Sequence, residues 1–277
     1  MNPLVHPVTV LRASSDGKSA HRPDLVAVEE PLEIRLVFGP VSDRQQQALA
    51  VTMRTPGHDV ELGLGFLFSE TIIRSADDVL AVRHFRDADG QPAENILRIE
   101  LKPEVQFDSA RLQRNFYMTS SCGVCGKAAL HAVAIEAQPC RSEVSITKEH
   151  LLLLPDQLRV AQAVFQHTGG LHAIGLFAPG GTLHLAREDV GRHNAMDKMV
   201  GAALHQHVPL SEAVCLLSGR ASFELLQKAA VAGIPIVAAI GAPSSLAVEI
   251  AEAMGITLVG FLRAQSFNVY THPHRIS

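Results

Sequence analysis

The second half of the chain alternates apolar runs of strand length with segments of helical period, and this alternation limits the folds open to it. It begins with two apolar runs joined by Pro179-Gly-Gly, which predict a β-hairpin. Helices and strands then follow in strict alternation, an order typical of an α/β domain with a largely parallel sheet. The predicted elements are hairpin strands 172–177 and 182–186, helices 155–166, 190–204, 221–232 and 244–254, and strands 213–217, 236–240 and 257–261.

The first half has a different pattern. Two β-rich runs, 28–37 and 47–54, precede a helix capped by Asp59 and two further strands, 79–85 and 96–101. This order predicts a small α+β domain. The first residues are polar and show no apolar period, so we expect a mobile arm there. The predicted organisation is an arm over 1–26, a small α+β domain over 27–117, a loop or linker over 118–148 and an α/β domain over 149–277.

Composition excludes several classes of protein. With 47% hydrophobic and 19% charged residues, the chain has enough apolar side chains for a sizeable core. A formal net charge of −4 gives no overall attraction to nucleic acid or to an acidic membrane, so any anion site must be local. Residues 229–248 carry no charge, but glycines and prolines interrupt them, and we predict no membrane span. The N-terminus lacks the apolar core of a signal peptide, so a cytoplasmic protein is expected.

Cys122 and Cys125 form a Cys-x-x-Cys motif among small and polar residues between the two halves. A structural zinc site would need four ligands, for which His131 and Cys140 are the nearby candidates. A thioredoxin-like redox pair would follow a buried strand, whereas the preceding residues are polar. Two cysteines without a function are a third interpretation. The fourth is an accessible thiolate that carries a transferable group, because a glycine follows each cysteine.

The remaining cysteines differ from this pair. Cys215 lies in an apolar strand, which favours a role in the core, and Cys140 beside Pro139 stays unassigned. Lys127 follows the pair closely and would favour a thiolate, although an ordinary solvated lysine fits the position equally well.

Three strand-to-helix turns in the second half offer donors to an anion. In a parallel sheet these turns meet at the carboxyl ends of the strands, where open α/β folds bind ligands. Backbone N–H groups at helix starts attract anions, and Arg192 and Arg220 add donors that suit phosphate. His193 is a candidate for orienting a reacting group. The turns are Glu188-Asp-Val-Gly-Arg-His-Asn, Ser218-Gly-Arg-Ala-Ser and Ala242-Pro-Ser-Ser.

Helix capping explains the same turns without a ligand. Asp189, Ser218 and Ser244 are residue types that cap helices, and Arg220 can pair with Glu224 one helical turn later. A single histidine on a helix is more often structural than functional. Taken together with the arginines, the three turns favour a phosphate-bearing ligand.

Seven blocks of residues resemble, in order, the formate dehydrogenase accessory sulfurtransferase (FdhD) family, from about residue 26 to the end. A Cys-x-x-Cys motif alone is common, but the run that begins at Glu188 is specific when it stands in register with the others. The blocks are Arg54-Thr-Pro-Gly, Gly65-Phe-Leu-Phe-Ser-Glu, Ser121-Cys-Gly-Val-Cys-Gly, Thr168-Gly-Gly-Leu-His-Ala, Glu188-Asp-Val-Gly-Arg-His-Asn-Ala-Met-Asp-Lys, Ser218-Gly-Arg-Ala-Ser and Asn268-Val-Tyr-Thr-His-Pro.

The resemblance implies a sulfurtransferase whose α/β half is similar to the cytidine deaminase fold. It would accept sulfane sulfur from a cysteine desulfurase as a persulfide on Cys122, with Cys125 as partner. It would then pass the sulfur to molybdenum cofactor in its bis(molybdopterin guanine dinucleotide) form, for formate dehydrogenase. We expect no metal of its own, no nucleic-acid partner and a homodimer. The implied cofactor-binding segment is Phe261, Leu262, Arg263, Ala264, Gln265 and Ser266.

The chain departs from the family in that last segment. Family members commonly have an Arg-Gly-x-Arg type of sequence there. In this chain Ala264 lacks the backbone flexibility of glycine, and Ser266 lacks the guanidinium group with which arginine binds phosphate. Thr71 also stands where glycine is usual. Two other functions stay open: a chaperone that delivers the cofactor without moving sulfur, and a zinc-dependent, deaminase-like nucleotide enzyme.

Overall fold

A computed structural model describes residues 4–86, 92–107 and 137–277. It opens with a β-hairpin of β1 (Val5–Ala13) and β2 (Ser19–Ala27), which corrects the expectation of an arm without regular structure over 1–26. Most of the hairpin side chains are exposed, and antiparallel backbone pairing holds the strands together. Such pairing needs no buried face, so these strands have no apolar periodicity from which the hairpin could have been predicted.

The first unit is a four-stranded sheet with a helix on one face. Its elements are β3 (Glu30–Phe38), β4 (Gln45–Arg54), α1 (Asp59–Ser69), β5 (Val79–Arg86) and β6 (Pro92–Leu101). The strand order is β4-β3-β6-β5, with β3 and β6 parallel. Alternate residues of these two central strands, such as Ile34 and Ile99, pack against Leu62 and Leu67 of α1. Asp59 does not cap α1: the preceding residue is the N-cap, and the Asp59 carboxylate binds Arg54 at 3.0 Å.

The second unit is a six-stranded sheet between two helical layers. Its elements are α2 (Lys148–Ala161), α3 (Phe165–Thr168), β7 (His172–Phe177), β8 (Leu183–Asp189), α4 (Arg192–His205), β9 (Val214–Leu217), α5 (Phe223–Val231), β10 (Ile236–Ala239), α6 (Ser245–Ala253), β11 (Thr257–Arg263) and β12 (Ser266–Thr271). In β9, Cys215 and Leu217 face α4, α5 and α6, whereas Val214 and Leu216 face α2. The predicted fold class, a small α+β domain followed by an α/β domain, is therefore confirmed.

The sheet of this unit is mixed, so the prediction of a largely parallel sheet was wrong. The strand order is β12-β11-β10-β9-β7-β8, and the parallel pairs are β9 with β10 and β10 with β11. β7 is antiparallel to β8 because the turn at 178–182 is too short for a parallel crossover. β12 was not predicted; it returns from β11 through a two-residue turn at 264–265 and pairs antiparallel with it.

The first helix of this unit begins earlier than predicted. We expected a helix over 155–166, but α2 begins at Lys148 and α3 is a separate short turn. Thr147 caps α2 by accepting a backbone N–H of the first turn at 3.2 Å. Pro155 lies inside α2 and removes one backbone hydrogen bond, but burial of an apolar stripe against the sheet stabilises the helix. The stripe consists of Leu151, Leu154 and Leu158.

The two units are joined where α1 crosses α4 at very short range. A Cβ atom added to Gly65 would lie 1.8 Å from the Asp197 carbonyl oxygen, and one added to Gly201 would lie 1.9 Å from the Glu61 carbonyl oxygen. Both distances are far below van der Waals contact. The two helix backbones can approach this closely because both positions are glycine.

Candidate functional site at the carboxyl edge of the sheet

Four strands of the second unit end at one edge of its sheet. β8 is antiparallel to β7, and β7 is antiparallel to β9, so β8 runs in the same direction as β9, β10 and β11. The turns that follow these strands therefore meet, as predicted. We call this region the carboxyl edge. It comprises residues 189–193, 218–222, 241–244 and 261–266.

Backbone hydrogen bonds hold the turns of the carboxyl edge in a fixed order. The Gly241 N–H donates to the Gly219 carbonyl (2.9 Å), and the Phe261 N–H donates to the Gly241 carbonyl (3.0 Å). Ser218 is bound to β7, since its hydroxyl accepts the Ala173 N–H at 2.8 Å. A Cβ atom on Gly241 would lie 3.0 Å from the Gly219 carbonyl oxygen, so a larger residue would push these turns apart.

Two arginines and two histidines meet at the carboxyl edge. Arg192, His193 and Arg220 were predicted there, whereas His172, the first residue of β7, was missed. Partial burial lowers the pKa of His172, and the positive charges of the other three residues lower it further. His172 is therefore a neutral imidazole near pH 7, with one donor and one acceptor. Its position at the end of the Thr168-Gly-Gly-Leu-His block and at the start of a strand was the signal that could have identified it.

The arginines of the carboxyl edge keep most of their donors for a ligand, although Arg192 Nε lies 3.4 Å from Nε2 of His193. In the described part of the chain, neither Arg192 nor Arg220 forms an ion pair with a carboxylate, and Arg220 is exposed. The alternative pairing of Arg220 with Glu224 is wrong. The Glu224 carboxylate binds His193 instead, with Oε2 at 2.7 Å from Nε2.

The helix starts at this edge differ in their caps. Ser244 caps α6 by accepting the Ala247 N–H at 3.3 Å, which confirms the capping interpretation for that serine. No side chain caps α4, which follows Gly191, or α5, which follows Ser222. The Ser222 hydroxyl is buried and has no hydrogen-bond partner among the described residues. The positive ends of α4 and α5 are thus open to an anion, whereas that of α6 is partly satisfied.

Asp189 belongs to the interface between the two units, so its interpretation as a helix cap is corrected. Its carboxylate is fully buried and accepts the N–H groups of Gly191 (2.8 Å) and Thr55 (3.2 Å). Lys198, which is 1% exposed, lies 2.7 Å from the same carboxylate and donates to the Thr55 carbonyl at 2.7 Å. This ion pair fixes the turn that carries Arg192 against the first unit.

Two more polar residues of α4 face the first unit. Asn194 donates to a backbone carbonyl of β4 at 2.7 Å and accepts the Thr52 hydroxyl at 3.0 Å. Asp197 accepts the Ser69 hydroxyl at 2.9 Å. Their spacing with Lys198 puts all three on one helix face, a signal for an interface that our interpretation as a ligand-binding turn missed.

The predicted cofactor-binding segment 261–266 forms the end of β11, a turn and the start of β12. Phe261 is 40% exposed and has a left-handed backbone, with φ of 53°, where the strand register shifts. The side chain of Leu262 is 1% exposed and packs in the core. The segment therefore presents an aromatic ring and a hairpin tip at the carboxyl edge. The exposed residues of the tip are Arg263, Ala264, Gln265 and Ser266.

The predicted cysteine pair, Cys122 and Cys125, lies outside the described residues, as does most of the 118–148 linker. Cys215 is fully buried in the core cluster, which confirms its core role, and this burial raises the pKa of its thiol to about 12. Cys140 is partly exposed, and its thiol has no assigned role. Within the described ranges, no three His, Cys, Asp or Glu side chains are grouped to hold a metal ion, and no helix has the length and apolar character to cross a membrane.

Comparison with known proteins finds one family across almost the whole chain. The model of the FdhD/NarQ family matches residues 27–277. The chain is 51% identical over 268 residues to the sulfur carrier protein FdhD of Streptomyces avermitilis, covering 95% of this chain and 92% of that protein. Proteins of the same name from Mycobacterium tuberculosis (50% identical, covering 92% and 93%) and Sulfolobus acidocaldarius (44%, covering 94% of each) are also similar.

A solved structure shares the fold. It is described as a formate dehydrogenase accessory protein from Desulfotalea psychrophila and superposes with a TM-score of 0.76 over 99% of this chain and 100% of that one. The two sequences are 22% identical, so the similarity supports the architecture alone.

Proposed function

Because this chain belongs to the FdhD/NarQ family, we propose that it is a sulfur carrier in the maturation of formate dehydrogenase. Relatives that share about half of its residues carry the name sulfur carrier protein FdhD. In this proposal a cysteine desulfurase supplies sulfane sulfur to Cys122. The chain passes that sulfur to molybdenum cofactor in its bis(molybdopterin guanine dinucleotide) form, which is its cargo.

The carboxyl edge is the observation that carries the proposal. The cargo bears pyrophosphate groups, and the edge offers Arg192 and Arg220, which have no carboxylate partner among the described residues. The uncapped starts of α4 and α5 add backbone donors. In a chain of net charge −4, these local cations supply an attraction that the molecule as a whole lacks. The exposed ring of Phe261 at the same edge suits an aromatic base.

The cysteine pair supplies the sulfur chemistry of the proposal. The Cys122 thiolate attacks the terminal sulfur of the desulfurase persulfide, the S–S bond of the donor breaks, and the donor cysteine leaves as a thiolate. This step needs no reductant. For release as sulfide, the Cys125 thiolate attacks Sγ of Cys122, so that a disulfide forms between them and the terminal sulfur leaves with the electron pair. An external dithiol then reduces the disulfide.

Sulfur loading is tested with purified proteins. After incubation with a cysteine desulfurase and cysteine, intact mass spectrometry should show one additional sulfur atom on the wild-type chain. Cys122→Ala should remain unloaded, while Cys140→Ala, which removes a partly exposed cysteine, should load normally. Loading of Cys122→Ala to the wild-type level would show that the assigned carrier is wrong.

A deletion strain separates sulfur transfer from chaperoning. Formate dehydrogenase activity should be lost in the deletion and restored by the wild-type gene but not by Cys122→Ala. Full restoration by Cys122→Ala would favour a chaperone that moves no sulfur. Stoichiometric zinc in the purified protein would favour either the deaminase-like enzyme or a structural zinc site. The cytoplasmic location and the homodimer stay predictions from the sequence.

A further inference from the structure

Glu224, the second residue of α5, places a carboxylate among the cations of the carboxyl edge. Its Oε2 lies 2.7 Å from His193 Nε2, and its side chain is 44% exposed. The hydrogen bond from His193 lowers the pKa of the Glu224 carboxyl; burial opposes this, and the charges of Arg192 and Lys228 reinforce it. Glu224 is therefore negatively charged at neutral pH. This charge repels a phosphate-bearing ligand, so an anion site would bind more tightly without it unless the carboxylate has another use.

The ring of His193 is the group that this carboxylate orients. His193 lies in the first turn of α4, and Glu224 reaches Nε2 from the neighbouring helix. Arg192 Nε, which is itself a donor, lies 3.4 Å from the same ring nitrogen, whereas the Glu224 carboxylate lies at 2.7 Å. The shorter contact favours a proton on Nε2 that points at Glu224. The charged and titratable groups near the pair of His193 and Glu224 are Arg192 from α4, Lys228 from α5 and His172 from β7. Arg220, from the turn after β9, and the buried Asp189 at the end of β8 act on His172.

We propose that Glu224 is a positioning residue: it accepts the Nε2–H of His193 and so directs Nδ1 of that ring toward a phosphate-bearing ligand. A protonated Nδ1 makes a charge-assisted hydrogen bond to a phosphate oxygen. The inference rests on the proposed function, because it requires the carboxyl edge to bind the guanine dinucleotide cargo. It adds Glu224 on α5, as the partner of His193 on α4, to the site predicted from the sequence.

Guanosine 5′-diphosphate is a suitable probe, because it carries the guanine and a pyrophosphate like those of the cargo. At pH 8, isothermal titration calorimetry should show that Glu224→Gln binds it about fivefold more weakly than wild type. Glu249→Gln removes the same charge from an exposed position of α6 and should leave the affinity unchanged.

A His193→Gln background provides the decisive control. Without a ring to orient, Glu224 only repels the probe, so Glu224→Gln should tighten binding in that background. Urea unfolding of every variant checks that the fold is retained. Weaker binding in both backgrounds would assign Glu224 a structural role, and tighter binding in both would assign it repulsion alone; either result overturns the inference. Failure of the wild-type chain to bind the probe would overturn the proposed cargo site and the inference together.

Discussion

Two sets of charged residues in the second unit have opposite surroundings in the fold. The interface set, Asp189 and Lys198, is buried and joined at 2.7 Å between the two units. The edge set, Arg192 and Arg220, has no carboxylate partner in the described ranges. Removing an ion from water costs several kcal/mol, so buried charges persist when they are paired, whereas cations at a surface can stay open for a ligand. Residues 189–198 thus hold the two units together and also present Arg192 at the carboxyl edge.

The comparison separates two measurable quantities. Substitutions in the interface set should change the free energy of unfolding. Substitutions in the edge set should change ligand affinity and leave unfolding almost unaltered.

Replacement of Lys198 by methionine should have the largest effect. The Asp189 carboxylate would stay buried without its cation, and the free energy of unfolding should fall by about 3–5 kcal/mol in urea titrations. Lys148→Met, at an exposed position of α2, is the matched control and should change stability by no more than about 0.5 kcal/mol. If both substitutions change the free energy of unfolding by similarly small amounts, the interface set does not stabilise the fold.

The helix crossing should also be sensitive. Gly201→Ala places a methyl group 1.9 Å from the Glu61 carbonyl oxygen, so the helices must separate, and the free energy of unfolding should fall by roughly 1–3 kcal/mol. Gly180→Ala adds the same methyl group where no atom lies within 4 Å and serves as the control. Equal thermal midpoints for the two variants would show that the crossing tolerates a larger separation.

The ion pair between Glu61 on α1 and Arg187 on β8 gives the interface a pH dependence. Burial alone would raise the pKa of Glu61, but hydrogen bonds from Arg187 and His58 lower it to about 2 from its ordinary value of 4.5. A carboxyl with a lowered pKa stabilises the fold above pH 4.5, and that contribution disappears as the pH falls from 4.5 toward 2.

Above pH 4.5, the free energy of unfolding of Glu61→Gln should therefore be lower than that of wild type by on the order of 2 kcal/mol. This difference should shrink as the pH falls toward 2, and urea unfolding across that pH range measures it. Glu249→Gln, at an exposed position, should keep the wild-type slope. A Glu61→Gln curve that runs parallel to wild type would contradict the role of this ion pair.

The edge set should show the reverse behaviour. Arg220→Ala should weaken binding of guanosine 5′-diphosphate about tenfold while the free energy of unfolding stays within about 0.5 kcal/mol of wild type. Arg141→Ala, at an exposed position outside the carboxyl edge, should change neither quantity. If Arg220→Ala loses stability in proportion to affinity, the two sets are not separate.

Local sequence patterns predicted the parts of this fold whose partners are close in the chain. The apolar run 213–217 identified β9, and Pro179-Gly-Gly identified the β7–β8 hairpin. The meeting of the turns that carry Arg192 and Arg220 followed from the parallel order of the strands. These features depend on periodicity and turn chemistry, which a single sequence displays.

Partners far apart in the chain could not be predicted in this way. Asp189 has the residue type of a cap, and nothing local shows that its carboxylate would meet Thr55, 134 positions earlier. Glu224 follows Arg220 by four positions, but tertiary packing pairs its carboxylate with His193 instead. Leu262 lies in a surface segment and yet belongs to the core, because strand alternation turns its side chain inward.

The central claim is that the carboxyl edge holds a guanine-containing molybdenum cofactor. The most direct test is mass spectrometry of the ligand released from protein that was purified from cells able to make this cofactor. The account predicts a guanine-containing pterin with the wild-type chain and its loss from the Arg192→Ala/Arg220→Ala double variant, with unfolding unchanged. A wild-type chain without such a ligand, or a double variant that retains it equally, would contradict the account.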